Sequence, residues 1–122
     1  MLKILAVNPG STSTKIAIFD GEKEIKSQNL YHSAEELRPF RHMADQYQFR
    51  VDKINAFLKD TDYTLFDFAA FVGRGGLVKP VQGGTYIVND LMVKELKEAK
   101  YGEHASNLGA MIVDEFSKLT GK

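Results

Sequence analysis

The strongest constraint on this chain lies in its first twenty residues, MLKILAVNPGSTSTKIAIFD. Two apolar runs are separated by small hydrogen-bonding residues, with Pro9, Gly10 and four consecutive hydroxyl side chains from Ser11 to Thr14. Leu2 to Val7 is apolar apart from Lys3, which suits a strand buried on both faces. Lys15 to Asp20 (KIAIFD) is short and rich in β-branched and aromatic residues, so it is expected to be the second strand, with Gly21 as its turn. A chain that starts this way must build a sheet around an N-terminal antiparallel hairpin.

The remaining pattern extends that sheet and covers it with helices. Glu24 to His32 is a plausible, more polar third strand, giving a meander. Ser33-Ala-Glu-Glu36 has the form of a capping box, and Pro39 breaks the helix it opens. Tyr47, Val51, Ile54 and Phe57/Leu58 recur at helical spacing, a stripe best explained as core packing. Phe66 to Val72 predicts a buried strand that runs into GRGG at 73–76, and Thr85 to Val88 predicts a further short strand. Asn89 caps a helix expected from Asp90 to Lys100, closed by Gly102. The last helix is expected over 105–119, with Leu108, Met111, Ile112, Phe116 and Leu119 inward. The order predicts one α/β domain: a mixed sheet with helices packed on it.

Composition narrows the function classes. Sixteen acidic and sixteen basic side chains give a formal net charge of zero. That argues against a general nucleic-acid or anionic-membrane surface, which needs clustered positive charge. With no Cys there is no disulfide, thiolate metal site or thiol nucleophile, which fits a reducing compartment. The apolar N-terminus is too short for a signal core and no run is long enough to span a bilayer, so a cytoplasmic location is expected.

Three constellations can carry chemistry. In the hairpin turn, Gly10 lets a ligand approach the backbone, and the N–H groups of Ser11 to Thr14 can form an anion-binding nest. Asn8 adds an amide, the hydroxyls alternate in direction so that Ser11 and Ser13 or Thr12 and Thr14 face one side, and Lys15 adds a cation. Many donors together complement a phosphate. The spacing is not that of a Walker A loop, and the same residues also suit a plain solvated turn. In GRGG, glycines leave Arg74 unshielded at the end of a strand, where open α/β sheets bind ligands and where a guanidinium can fork a carboxylate or phosphate. A surface arginine in a turn reads the same way. His104 precedes the last helix and can offer a neutral imidazole to a substrate oxygen, or serve as a capping histidine. His32 and His42 have polar neighbours and receive no role. No metal-ligand spacing, Ser-His-Asp triad or carboxylate-rich Mg²⁺ site is visible, so no metal ligand is assigned.

NPGSTSTKIAIFD, VGRGGLVKPVQGGTYIVND and GEHASNLGAMI, together with DQYQFR at 45–50, resemble segments of the acetate and butyrate kinase family, within the sugar kinase, heat-shock 70 and actin superfamily. The likeness is nearest the butyrate branch and covers essentially the whole chain. It implies reversible, ATP-dependent phosphorylation of butyrate or a related short or branched acid, giving an acyl phosphate and ADP. It also implies an actin-like, ribonuclease H-like domain with a mixed five-stranded sheet. By that resemblance Asn8, Gly10, Ser11, Ser13 and Lys15 bind the transferring phosphoryl group, and Arg74 and His104 are the catalytic candidates.

Family members have about three times this length. Residues 1–122 therefore correspond to the N-terminal domain, and the nucleotide-binding domain is expected in later sequence. ATP and Mg²⁺ are the cofactors implied for the full-length enzyme, which is expected to form homo-oligomers; the partners implied are a carboxylate and a nucleotide. Residues 1–122 alone are expected to bind no cofactor firmly and to be inactive. The alternative is a non-catalytic module that binds phosphate or acyl phosphate with the same hairpin.

Overall fold

The computed structural model describes residues 2–122. Four strands form one sheet in the order β3-β2-β1-β4. β1 (Lys3–Pro9) pairs antiparallel with β2 (Ser13–Asp20), which pairs antiparallel with β3 (Lys23–Tyr31). β4 (Ala70–Gly73) joins the other side of β1 in parallel, with Leu5 opposite Phe71 and Val7 opposite Gly73. The predicted α/β class and the antiparallel start are both present.

The sheet is covered on one face. Leu5, Val7, Ile16 and Ile18 alternate onto that face and are at most 1% exposed. Against them pack α2 (Tyr47–Lys59), through Val51, Ile54, Phe57 and Leu58, and α4 (Asn107–Thr120), through Leu108, Met111, Ile112 and Phe116. Each such side chain contributes about 1.5–3 kcal/mol when it leaves water. β1 was expected to be buried on both faces; instead Ile4, Ala6 and Asn8, on the opposite face, stay half-buried.

The helices carry the expected stop and start signals. Ser33 and Glu36 bond each other's backbone N–H around the short α1 (Ala34–Leu37), as a capping box requires. Asn89 accepts from Met92 N–H at 2.8 Å to start α3 (Asp90–Lys97), and Gly121 ends α4 in the left-handed region.

Several expectations need correction. The sheet has four strands among the described residues, not five. Thr85 to Val88 forms no ladder: it has no strand partner among the described residues, and Ile87 is 91% exposed while only Val88 packs against the core. The strand predicted from Phe66 starts only at Ala70, because Asp67 accepts from Thr64 N–H at 2.7 Å and winds Leu65–Asp67 into a 3₁₀ turn. α3 stops at Lys97, short of Lys100, and Ala99 then takes a positive φ of 54°. Leu119, expected inward, is 59% exposed; Phe116 is the last fully inward side chain of α4.

Candidate functional site

The carboxyl ends of β1 and β4 lie side by side. Arg74 N–H donates to the carbonyl of Val7 at 3.0 Å, which puts the backbone of Arg74 next to Asn8. The hairpin turn leaves the same edge of the sheet, closed by Gly10 N–H donating to the Ser13 carbonyl at 2.7 Å. Asn8 stands opposite Lys15 in the β1–β2 register, and Ser13 shares their face by alternation. Ser11, Thr12 and Lys15 are exposed, and Ser13 is half-buried. The structure therefore brings Asn8, Gly10, Ser11, Ser13 and Lys15 together.

It also decides the alternation of the hydroxyls. Thr14 points to the helix-covered face and is fully buried, so it cannot meet a ligand there. Its Oγ1 contacts His32 Nε2 at 2.9 Å and accepts from the Arg50 guanidinium at 2.9 Å. The Thr14 hydroxyl hydrogen is best used on Nε2, which leaves the imidazole proton on Nδ1; Nδ1 is buried without a partner.

Arg74 and His104 belong to neighbouring loops. A Cβ on Gly73 would lie 2.7 Å from the carbonyl of Gly109, so the end of β4 touches the backbone of α4 directly. Gly75 and Gly76 take positive φ values of 79° and 127° and lie against Ser106. Asn107, 4% exposed, ties this loop down: it accepts from Leu77 N–H at 2.8 Å and donates to the Gly102 carbonyl at 2.9 Å. His104 Nδ1 accepts from Ser106 N–H at 3.1 Å and lies 2.7 Å from Ser106 Oγ. A backbone N–H can only donate, so Nδ1 is the bare nitrogen and the ring hydrogen sits on Nε2. The histidine thus helps to start α4 and is itself exposed, with a donor free.

Beside Arg74 is a cavity of about 490 Å³. Its walls include Phe71, Val72, Val81, Val88, Met92 and Val113, an apolar lining with a cation at its rim. A larger cleft of about 760 Å³ lies between α2 and the Tyr63–Phe66 segment, at the other end of β4 and away from these donors. Among the described residues no group of three His, Cys, Asp or Glu could hold a metal ion.

Sequence reasoning missed four buried polar residues, Asn107 among them. Arg50 is 0% exposed, Gln46 6% and His32 5%. The signal for Arg50 was present: it falls on the inward stripe that includes Val51 and Ile54, four residues after Gln46, where a cation is out of place unless it has buried acceptors.

His32 gives a measurable consequence. Burial, and then the positive charge of Arg50, lower its pKa from 6.5 to about 4; Glu36 opposes this and Lys53 reinforces it. The unfolded chain takes up this proton near pH 6.5, while the folded chain resists until about pH 4. Stability from this group is thus complete above pH 6.5, is lost as pH falls towards 4, and changes no further below that. Melting temperature is expected to drop across that window, and His32→Asn to flatten the drop. Glu36, whose pKa is lowered to about 2 by the Ser33 N–H and then Lys53, titrates below it.

No family model matches the chain. Curated relatives do. Butyrate kinase 2 of Clostridium acetobutylicum is 50% identical over 119 residues, covering 98% of this chain and 33% of the relative. The chain is a homologue of the butyrate kinases. Butyrate kinase 1 of the same organism is 49% identical over 118 residues, 97% of this chain and 33% of that protein. A probable butyrate kinase of Listeria monocytogenes is 44% identical over 114 residues, 93% of this chain and 32% of the relative. The chain spans about a third of the length of these relatives. These relatives are named butyrate kinases, and that homology implies an actin-like fold. No helix among the described residues is long and apolar enough to cross a membrane.

Proposed function

We propose that residues 1–122 are the N-terminal, acyl-phosphate-binding domain of a butyrate kinase, with the nucleotide-binding domain in sequence beyond them. The observation that carries this reading is the placement of the hairpin turn beside the Arg74 backbone at the carboxyl ends of β1 and β4, with Arg74 also lining an apolar cavity. The reaction is attack by a carboxylate oxygen on the terminal phosphorus of ATP, with the bond from that phosphorus to the leaving ADP oxygen breaking in line. The carboxylate is already ionised, so no base is needed, and the protein's task is to position the substrate and gather charge.

Asn8, Ser13 and Lys15, with the N–H groups of the turn, would hold the phosphoryl oxygens. Arg74 would fork the carboxyl end of the acid or its phosphate, His104 would offer its Nε2 hydrogen nearby, and the short acyl tail would enter the cavity. ATP would supply the phosphoryl group. No step is assigned to Mg²⁺. The complete enzyme is cytoplasmic and homo-oligomeric in this reading.

Two measurements test it. Butyryl phosphate added to ¹⁵N-labelled residues 1–122 should shift the amides of Ser11 to Lys15 and of Arg74 to Gly76. An acyl-hydroxamate assay with ATP, Mg²⁺ and butyrate should give no turnover with residues 1–122 and clear turnover with the complete protein. Binding without turnover in the complete protein would favour a non-catalytic acyl-phosphate module. Absence of amide shifts would remove the phosphate reading altogether.

A further inference from the structure

We propose that Arg50 is the positioning residue of the phosphate hairpin. It draws the Ser11 and Ser13 carbonyls to the protein side, and places an unneutralised positive charge behind the bound anion. This rests on the phosphate reading above and assigns the hairpin its hidden support.

The guanidinium has five N–H donors, and each has an acceptor. Nε and one Nη2 hydrogen go to Gln46 Oε1 at 3.1 and 2.7 Å. Nη1 donates to the Ser13 carbonyl at 2.7 Å and to Thr14 Oγ1 at 2.9 Å, and Nη2 donates to the Ser11 carbonyl at 3.3 Å. Between them, the Thr12 carbonyl accepts from His32 N–H at 2.8 Å. All three carbonyls from Ser11 to Ser13 are therefore engaged by the protein. Carbonyl oxygens left facing outward would repel a phosphate; holding these three inward removes that repulsion from the Ser11–Ser13 stretch.

The charge is as telling as the geometry. Arg50 is fully buried, yet among the described residues every acceptor it meets is neutral and it forms no ion pair. Burial lowers its pKa to about 10, so it remains a cation at neutral pH. A buried cation without a carboxylate is costly, and a neutral group could fill the same space. An anion at the turn, on the other side of the Ser11 and Ser13 peptide groups, supplies the missing opposite charge. A lysine at this position would keep the charge but not the planar five-donor fork.

The test uses ¹⁵N-labelled residues 1–122 with Arg50→Lys and Arg50→Met, each checked for folding by thermal melting. Without ligand, the amides of Gly10 and His32, both bonded within the turn network, should exchange faster in both variants. With butyryl phosphate, read at the amides of Ser11 to Lys15, affinity should fall roughly tenfold in Arg50→Lys and roughly a hundredfold in Arg50→Met. A folded Arg50→Met with wild-type affinity overturns the proposal, because a merely structural brace would leave affinity alone. Unchanged exchange at Gly10 and His32 overturns the placement of the carbonyls, whether or not phosphate binds. Loss of binding already in the wild-type chain overturns the phosphate reading and the anion role of Arg50 with it, while the exchange data still decide the placement. Gln46→Ala, which keeps the cation but frees its fork, repeats both measurements if the Arg50 variants do not fold, and should lose affinity in the same direction.

Discussion

Gly73→Ala is expected to lower the unfolding free energy by about 2 kcal/mol, a large effect for one methyl group. The added Cβ would sit 2.7 Å from both the carbonyl carbon and the carbonyl oxygen of Gly109. Those atoms are backbone in the first turn of α4, so relief requires the helix to move and no rotamer change suffices. Phe71, two residues back in β4, packs its ring 5.6 Å from that of Phe116 in the same helix, so a displaced α4 also disturbs the core. Gly83→Ala is the matched control: nothing lies within 4 Å of its added Cβ, and the change should stay within about 0.5 kcal/mol. Urea denaturation of both variants decides the matter. Equal midpoints for the two would mean that strand and helix are not in direct contact. The contact also bears on the proposed site, since Arg74 follows Gly73 and its backbone N–H is bonded to Val7.

Local features of the fold were legible and non-local ones were not. The hairpin, the capping box at Ser33, the cap at Asn89 and the stop at Gly121 are each specified by a few adjacent residues, and each is present. Thr85 to Val88 has strand-like composition, yet a strand exists only beside a partner, and no local pattern reveals whether an edge is free. Phe66 was drawn into β4 by its hydrophobicity, although Thr64 and Asp67 mark a cap that competes with extension there.

The candidate site divides in the same way. Its exposed donors were legible because glycines and hydroxyls cluster in one short turn. Thr14 was ambiguous, since alternation fixes which residues share a face but not which face is covered. Arg50 stood out as a cation on the inward stripe, but its distant partners did not: two of its acceptors are backbone carbonyls, and Ser13 lies 37 residues away. Any residue supplies a carbonyl, so the sequence carries no mark of where one is needed. His32 was hidden for a related reason: only the folded pairing with Thr14 shows that its surroundings are buried.

Arg74→Ala and Lys15→Ala are expected to separate the two ends of the substrate in the complete enzyme. Arg74 sits at the rim of the apolar cavity, and loss of a charge-assisted fork should lower kcat/KM for butyrate by roughly 10- to 100-fold. Arg74→Lys should recover only part of this, because an ammonium keeps the charge without the bidentate geometry. Lys15 stands in β2 opposite Asn8, on the face proposed to hold the phosphoryl group, so Lys15→Ala should raise KM for acyl phosphate and ATP more than KM for butyrate. Neither change should alter chain-length preference much, since each methylene of the acid is worth only about 0.8 kcal/mol in the cavity and that lining is untouched. Steady-state kinetics with propionate, butyrate and butyryl phosphate read all three quantities. If Arg74→Ala shifted chain-length preference instead of overall efficiency, the guanidinium would be a wall of the tail pocket and the carboxyl clamp would have to be sought elsewhere. If both substitutions left kinetics unchanged, the shared sheet edge would be scaffold, and the donors of the turn would serve only the fold.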